Sequence, residues 1–214
     1  MTALLAPTAE TAGSALRTVL PGGRIRPGTT ISMCGDLPLL QALAAAANPA
    51  GWATLAMPAF GHLAAVDAGL DLAAGLHVDQ PGGRWQQALA ILIEAVPVVL
   101  LGDVGRVAPG VEQRIAARLR RSGAVLLTAR PWGAADVRLQ VVESRWEGVG
   151  AGHGLLTQRR FQIMTTGRGA AGGAPWRTEL LVPGPTGAVA AAEQQSTMEL
   201  LDELAPSWRL RSAR

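Results

Sequence analysis

Four apolar runs, "TTISMC" (29–34), "WATLAM" (52–57), "PVVLL" (97–101) and "AVLLTA" (124–129), recur along the first 130 residues. Glycine or proline bounds each of them, and a helix-forming stretch stands between one and the next. Runs of four to six residues with almost no polar interruption suit strands buried on both faces, which is the condition inside a parallel sheet. Between them "PLLQALAAAAN" (38–48) is built of strong helix formers and ends at Asn48-Pro49. A helix-like "GHLAAVDAG" follows the second strand, a short strand "GLHV" spans 75–78, and a helix is expected over 84–95. "PGVEQRIAARLRRSG" (109–123) carries proline near its start and glycine at its end, the usual asymmetry of a helix. This alternation predicts a doubly wound α/β sheet.

The pattern changes after Pro131. "DVRLQVVES" (136–144), "RRFQIMTTG" (159–167) and "WRTELLVPG" (176–184) alternate apolar and polar residues at period two. They read as antiparallel strands added at one sheet edge, joined by the glycine-rich connectors "EGVGAGHG" and "GRGAAGGAP". The chain thus divides into an N-terminal helix and turn (1–24, with the helix over 8–20), a core domain (25–185), and a C-terminal helix with a basic tail (186–214).

Composition narrows the chemistry. All 19 basic residues are arginine, so Schiff-base chemistry, lysine general bases and a phosphate-loop lysine are excluded. A single Cys34 allows neither an internal disulfide nor a multi-thiolate zinc site. His62, His77 and His153 show no metal-ligand spacing, and no metal site is expected. No apolar run reaches the roughly 18 residues of a membrane span. The N-terminus has no basic region before an apolar block, so no secretory signal is expected and the expected compartment is the cytoplasm. The net charge of +3 argues only weakly for nucleic acid.

The turn after the first strand, "CGDLPLLQA" (34–42), has the strand–loop–helix form of a phosphate-binding loop. Aligned from Gly35, the Gly-Lys-Ser/Thr positions hold Leu40, Gln41 and Ala42. Leucine adds a side chain where backbone must approach phosphate, glutamine brings no charge, and alanine has no hydroxyl for Mg²⁺. Pro38 removes an amide donor and Asp36 adds a negative charge. After the strand "PVVLL", Gly102 stands where a metal-binding acid belongs, and Asp103 comes one place late, placed to cap the following turn. No cofactor is expected, and the chain is not expected to be an enzyme.

The ordered set "LPGG" (20–23), "RPGTTISMCG" (26–35), "GLDL" (69–72), "LHVDQP" (76–81), "QALAI" (87–91), "VVLLGDVGRVAP" (98–109) and "AADVRL" (134–139) resembles the core of the RecA recombinase family over about residues 18–183. Only "RPWGA" separates "LLTA" from "ADVRL", where RecA carries a long DNA-binding loop, and the C-terminal DNA-gathering domain of RecA is not expected here. Within that family the chain resembles the nucleotide-blind ImuA′-type accessory protein of the actinobacterial inducible mutagenesis cassette, particularly at "SRWEGVGAGHGLL" (144–156). The resemblance implies a RecA-like fold and a role in DNA-damage-induced (SOS) error-prone translesion synthesis. It implies as partners an ImuB-type inactive Y-family-like clamp-binding protein, an error-prone C-family DNA polymerase and RecA itself. Contact with DNA would be indirect or weak, and the protein would be found at the nucleoid. Two other readings stay open: an inhibitor of cell division of the SulA type, and a single-stranded DNA-binding protein.

Without catalytic chemistry the function falls to surfaces. Arg114, Arg118 and Arg121 line one stripe of the 109–122 helix, for which a solvated exterior is the plainer reading. Met198, Leu201 and Leu204 form an apolar stripe on a helix over 193–205 that also carries Glu193, Glu199, Asp202 and Glu203. That helix could dock on its own domain or on a partner. Trp208, Arg209 and Arg211 make the tail a candidate contact. Trp132, beside Arg130, could anchor a protein, stack on a base or serve structure alone. Leu16 and Val19 are expected to cover the sheet, with packing on a neighbouring protomer as the alternative.

Overall fold

A computed structural model describes residues 15–34, 36–47, 49–150, 153–183 and 189–192. Strand and helix alternate as the apolar runs predict: β1 (Thr30–Cys34), α1 (Leu37–Ala46), β2 (Trp52–Leu55), α2 (His62–Asp67), β3 (Gly75–Val78), α3 (Trp85–Ala95), β4 (Val98–Leu101), α4 (Pro109–Ser122) and β5 (Val125–Thr128). The alternating segments follow as β6 (Val137–Gly150), β7 (His153–Gly167), β8 (Trp176–Leu181) and a short β9 (Ala190–Ala191). All belong to one sheet in the order β3-β2-β4-β5-β1-β6-β7-β8-β9. Pairing is parallel from β3 through to β6 and antiparallel from β6 through to β9. The fold is therefore mixed α/β, mostly parallel, with antiparallel strands at one edge.

The period of two within the central strands builds two cores. Val98 and Leu100 of β4 face the layer that holds Leu39, Leu40 and Leu43 of α1, while Val99 and Leu101 face Leu89 and Ile93 of α3 and Leu119 of α4. Complete burial of each such leucine or isoleucine contributes roughly 1.5–3 kcal/mol, so the helices are held by the sheet more than by propensity. Local sequence sets their ends. Pro109 opens α4, and Gly123 closes it with φ 79°, a left-handed conformation that costs glycine little.

Two differences from the sequence expectation concern the antiparallel half, and a third concerns the N-terminal segment that packs on it. The "EGVGAGHG" segment is expected as a connector, yet Glu147, Val149 and Gly150 pair with Gln158, Gly154 and His153, so β6 and β7 form one long hairpin. Ladder hydrogen bonds need only backbone, and glycines can join them once flanking residues fix the register. The ladder shifts register between Val141 and Glu143 and again between Glu147 and Val149. A ninth strand, β9, lies in the alanine-rich segment that carried no strand prediction. Of the helix expected over 8–20, the described part is helical only at 15–17. Leu16 and Val19 there are fully buried against the sheet, as expected of a cover. The Val19 carbonyl accepts from Thr165 Oγ1 (3.0 Å) and the Thr18 carbonyl from Trp176 Nε1 (3.1 Å), which ties this segment to β7 and β8.

Candidate functional site

The start of α1 is where a nucleotide-binding member of such a fold would hold phosphate, because free backbone amides and the helix dipole converge there. In this chain the anion at that place is its own. Asp36 caps the helix, its Oδ1 accepting from the Leu39 amide at 2.9 Å. Its Oδ2 accepts from Arg159 Nη1 at 3.0 Å, across the sheet from β7. The Asp36 side chain is 4% exposed and the Arg159 side chain 28%. Burial pushes the Asp36 carboxyl above its ordinary range, against the opposing pull of the Leu39 amide and the Arg159 guanidinium. Arg159 is held in turn by Ser144 Oγ at 3.2 Å and by the Phe161 ring, whose centroid lies 4.5 Å away.

The neighbouring positions do not fit a nucleotide either. Leu40, Gln41 and Ala42 are buried, with Leu40 packed in the core and the Gln41 amide donating to the Gly61 carbonyl at 3.1 Å. At the end of β4, Gly102 donates to the Leu55 carbonyl at 2.8 Å. A Cβ on Gly102 would lie 1.9 Å from the Ala56 carbonyl oxygen, so no acid can stand at that position without moving backbone. Ala56 itself adopts φ 56°, an uncommon conformation for a residue with a side chain. Asp103 turns away as expected: its Oδ1 accepts from Gly105 N at 2.9 Å, capping the turn, and its Oδ2 lies 3.6 Å from Arg130. The cleft left between Asp36, Met57, Pro58 and Gly102 measures about 290 Å³. It offers a carboxylate and apolar walls where a triphosphate needs cations. A magnesium nucleotide therefore does not fit these residues.

The predicted surface residues part ways. Arg114, Arg118 and Arg121 lie together along a groove of about 440 Å³ between α3 and α4, floored by Ile93, Val111 and Ile115. Arg118 faces Glu94 of α3 at 3.5 Å. Of the three readings of Trp132, its burial fits the structural one and not a contact role. It is 3% exposed and packs in the core cluster with Leu101 and Leu119, because the turn "RPWGA" folds inward under α4. That turn is fastened by Glu112, whose carboxylate accepts from Gly133 N (3.1 Å) and Ala134 N (2.8 Å). Gly35, Met198, Leu201, Leu204, Trp208, Arg209 and Arg211 lie outside the described residues.

Two features escape the sequence reading. Trp146 on the β6–β7 hairpin is 47% exposed and stands 5.6 Å from the Arg159 guanidinium. At the opposite edge, His77 of β3 meets Thr54 Oγ1 at 2.9 Å and lies 4.8 Å, ring to ring, from His62. Burial and then the neighbouring His62 push the His77 imidazole below its ordinary value, while Asp79 pulls it upward. The residues involved are up to 23 positions apart in the chain, and no local motif marks them. Among the described residues no group of three or more potential metal ligands converges, and no helix is long and apolar enough to cross a membrane.

The profile of the MT3502 N-terminal domain family matches residues 18–134. The uncharacterized protein Rv3395c of Mycobacterium tuberculosis is 31% identical over 163 residues, which span 70% of this chain and 80% of that protein. Among solved structures, the flagellar accessory protein FlaH of Methanocaldococcus jannaschii aligns with a TM-score of 0.47 at 13% identity, over 80% of this chain and 92% of FlaH. With more than half of its length under the family profile, and four-fifths of the mycobacterial protein spanned, this chain belongs to the MT3502 N-terminal domain family.

Proposed function

We propose that the protein is a non-catalytic RecA-fold adaptor in DNA-damage-induced error-prone translesion synthesis. It acts through contacts with a mutagenic polymerase complex: an ImuB-type clamp-binding protein, an error-prone C-family polymerase and RecA, at the nucleoid. The observation that carries this reading is the Asp36–Arg159 pair at the start of α1. A fold whose phosphate-binding amide and cation are both engaged by an internal carboxylate retains its shape and loses its reason to bind a triphosphate. The ordered resemblance of residues 18–183 to the RecA core supports the same reading, as does a relative in Mycobacterium tuberculosis, an actinobacterium. The short turn at Trp132 leaves little loop with which to grip a DNA strand.

Thermal denaturation with and without a magnesium nucleotide tests the non-catalytic part. A ligand that binds only the folded chain raises its stability by RT ln(1 + [L]/Kd), so a shift in Tm at millimolar nucleotide would refute it, and none is expected. Affinity purification from damaged cells tests the partner part. The polymerase partners are expected in the eluate, and recovery of the tubulin-like division protein in their place would favour the SulA-type role.

A further inference from the structure

We propose that the groove between α3 and α4 receives the acidic segment 193–205 of a second copy of this chain. The proposal is independent of the adaptor reading. The groove has an apolar floor of Ile93, Val111 and Ile115 and a rim of three arginines. Only Arg118 has a carboxylate near it, Glu94 at 3.5 Å; among the described residues no ion pair engages Arg114 or Arg121. A cationic rim on an apolar floor suits an amphipathic helix with a carboxylate face. The chain contains one such segment. Residues 193–205 place Met198, Leu201 and Leu204 on one stripe and Glu199, Asp202 and Glu203 beside it.

Reach decides between the same molecule and another. Ala192 follows β9 at one edge of the sheet, five strand spacings from β5, or about 24 Å at ~4.8 Å each. Val189, just before β9, packs in the α1 layer, whereas α3 and α4 cover the opposite face. Fully extended, the six residues from Ala192 to Met198 span only about 20 Å, and a helical segment covers far less. The stripe therefore cannot enter its own groove as a helix. Reciprocal exchange between two copies fills both grooves and closes a dimer.

Sedimentation velocity on the full chain provides the test. The wild-type protein is expected to self-associate as its concentration rises. A groove variant (Arg114→Glu, Arg118→Glu, Arg121→Glu) and a segment variant (Glu199→Arg, Asp202→Arg, Glu203→Arg) are each expected to be monomeric. Mixed one to one, they are expected to regain association, because each groove then meets a segment of opposite sign in the other variant. That rescue cannot come from misfolded chains. A wild-type protein that stays monomeric, a single variant that still self-associates, or a mixture that fails to do so would each overturn the proposal.

Discussion

The molecule treats its arginines in two opposite ways at two places. At the start of α1, Arg159 reaches a buried carboxylate of the same chain, and the site is closed. Along α4, Arg114, Arg118 and Arg121 rim an open groove that has one exposed carboxylate nearby. The first arrangement satisfies both charges within the chain, and the second leaves charge for something else to meet. A charged residue in a cleft is thus no guide to binding until its partners are counted.

Breaking the closed site should have the largest effect. Arg159→Leu leaves the Asp36 carboxylate buried without its cation, a change expected to cost about 3 kcal/mol in chemical denaturation. Adding Asp36→Asn to that variant should return part of the loss, since an amide needs no counter-charge. The pH dependence has a definite sign. Because the folded Asp36 pKa stands above its ordinary value, the folded chain holds this proton more tightly than the unfolded one. Its contribution to stability is therefore fullest at acid pH and declines as pH rises through that raised pKa. Arg159→Leu should extend the decline to higher pH, which denaturation midpoints across a pH series will read.

Gly102→Asp, which would place an acid directly after β4, comes next. It should cost about 1–3 kcal/mol through collision with the Ala56 carbonyl and gain no response to Mg²⁺ in thermal melts. The open site should behave otherwise. Arg114→Glu with Arg121→Glu should change the stability of the single chain, measured at a concentration too low for association, by no more than about 0.5 kcal/mol, because both side chains are exposed and no ion pair within the described residues is lost. A large loss of stability there would erase the contrast between the two sites. The smallest effect belongs to His77, whose lowered pKa favours the neutral ring in the fold. Stability should fall slightly as pH drops through the ordinary histidine range toward the lowered value, and His77→Gln should remove that slope.

Much of the parallel half is legible from composition and spacing. Its central strands are short apolar runs buried on both faces, and proline, glycine and aspartate punctuate its helices, so local chemistry and final structure agree. The departure from the phosphate-loop pattern at Leu40, Gln41 and Ala42 is equally local. Trp132 shows where such reading stops. An aromatic beside arginine in a short loop has the same local sequence whether it faces solvent or core, and Glu112, twenty residues earlier, pulls the turn inward. The long β6–β7 hairpin is similar, since its glycine-rich end is strand only because a partner strand lies alongside.

By itself, then, the sequence determined the alternation of strand and helix, the absence of any lysine, and a glycine directly after β4 at position 102. Only the tertiary structure decided that Asp36 and Arg159 close the site, that no side chain fits at Gly102, and that three arginines share a groove with Ile93 of the neighbouring helix. The physical reason is range. Propensity, capping and hydrophobic period act over a few residues. A buried ion pair or a groove depends on which distant elements the sheet order sets side by side.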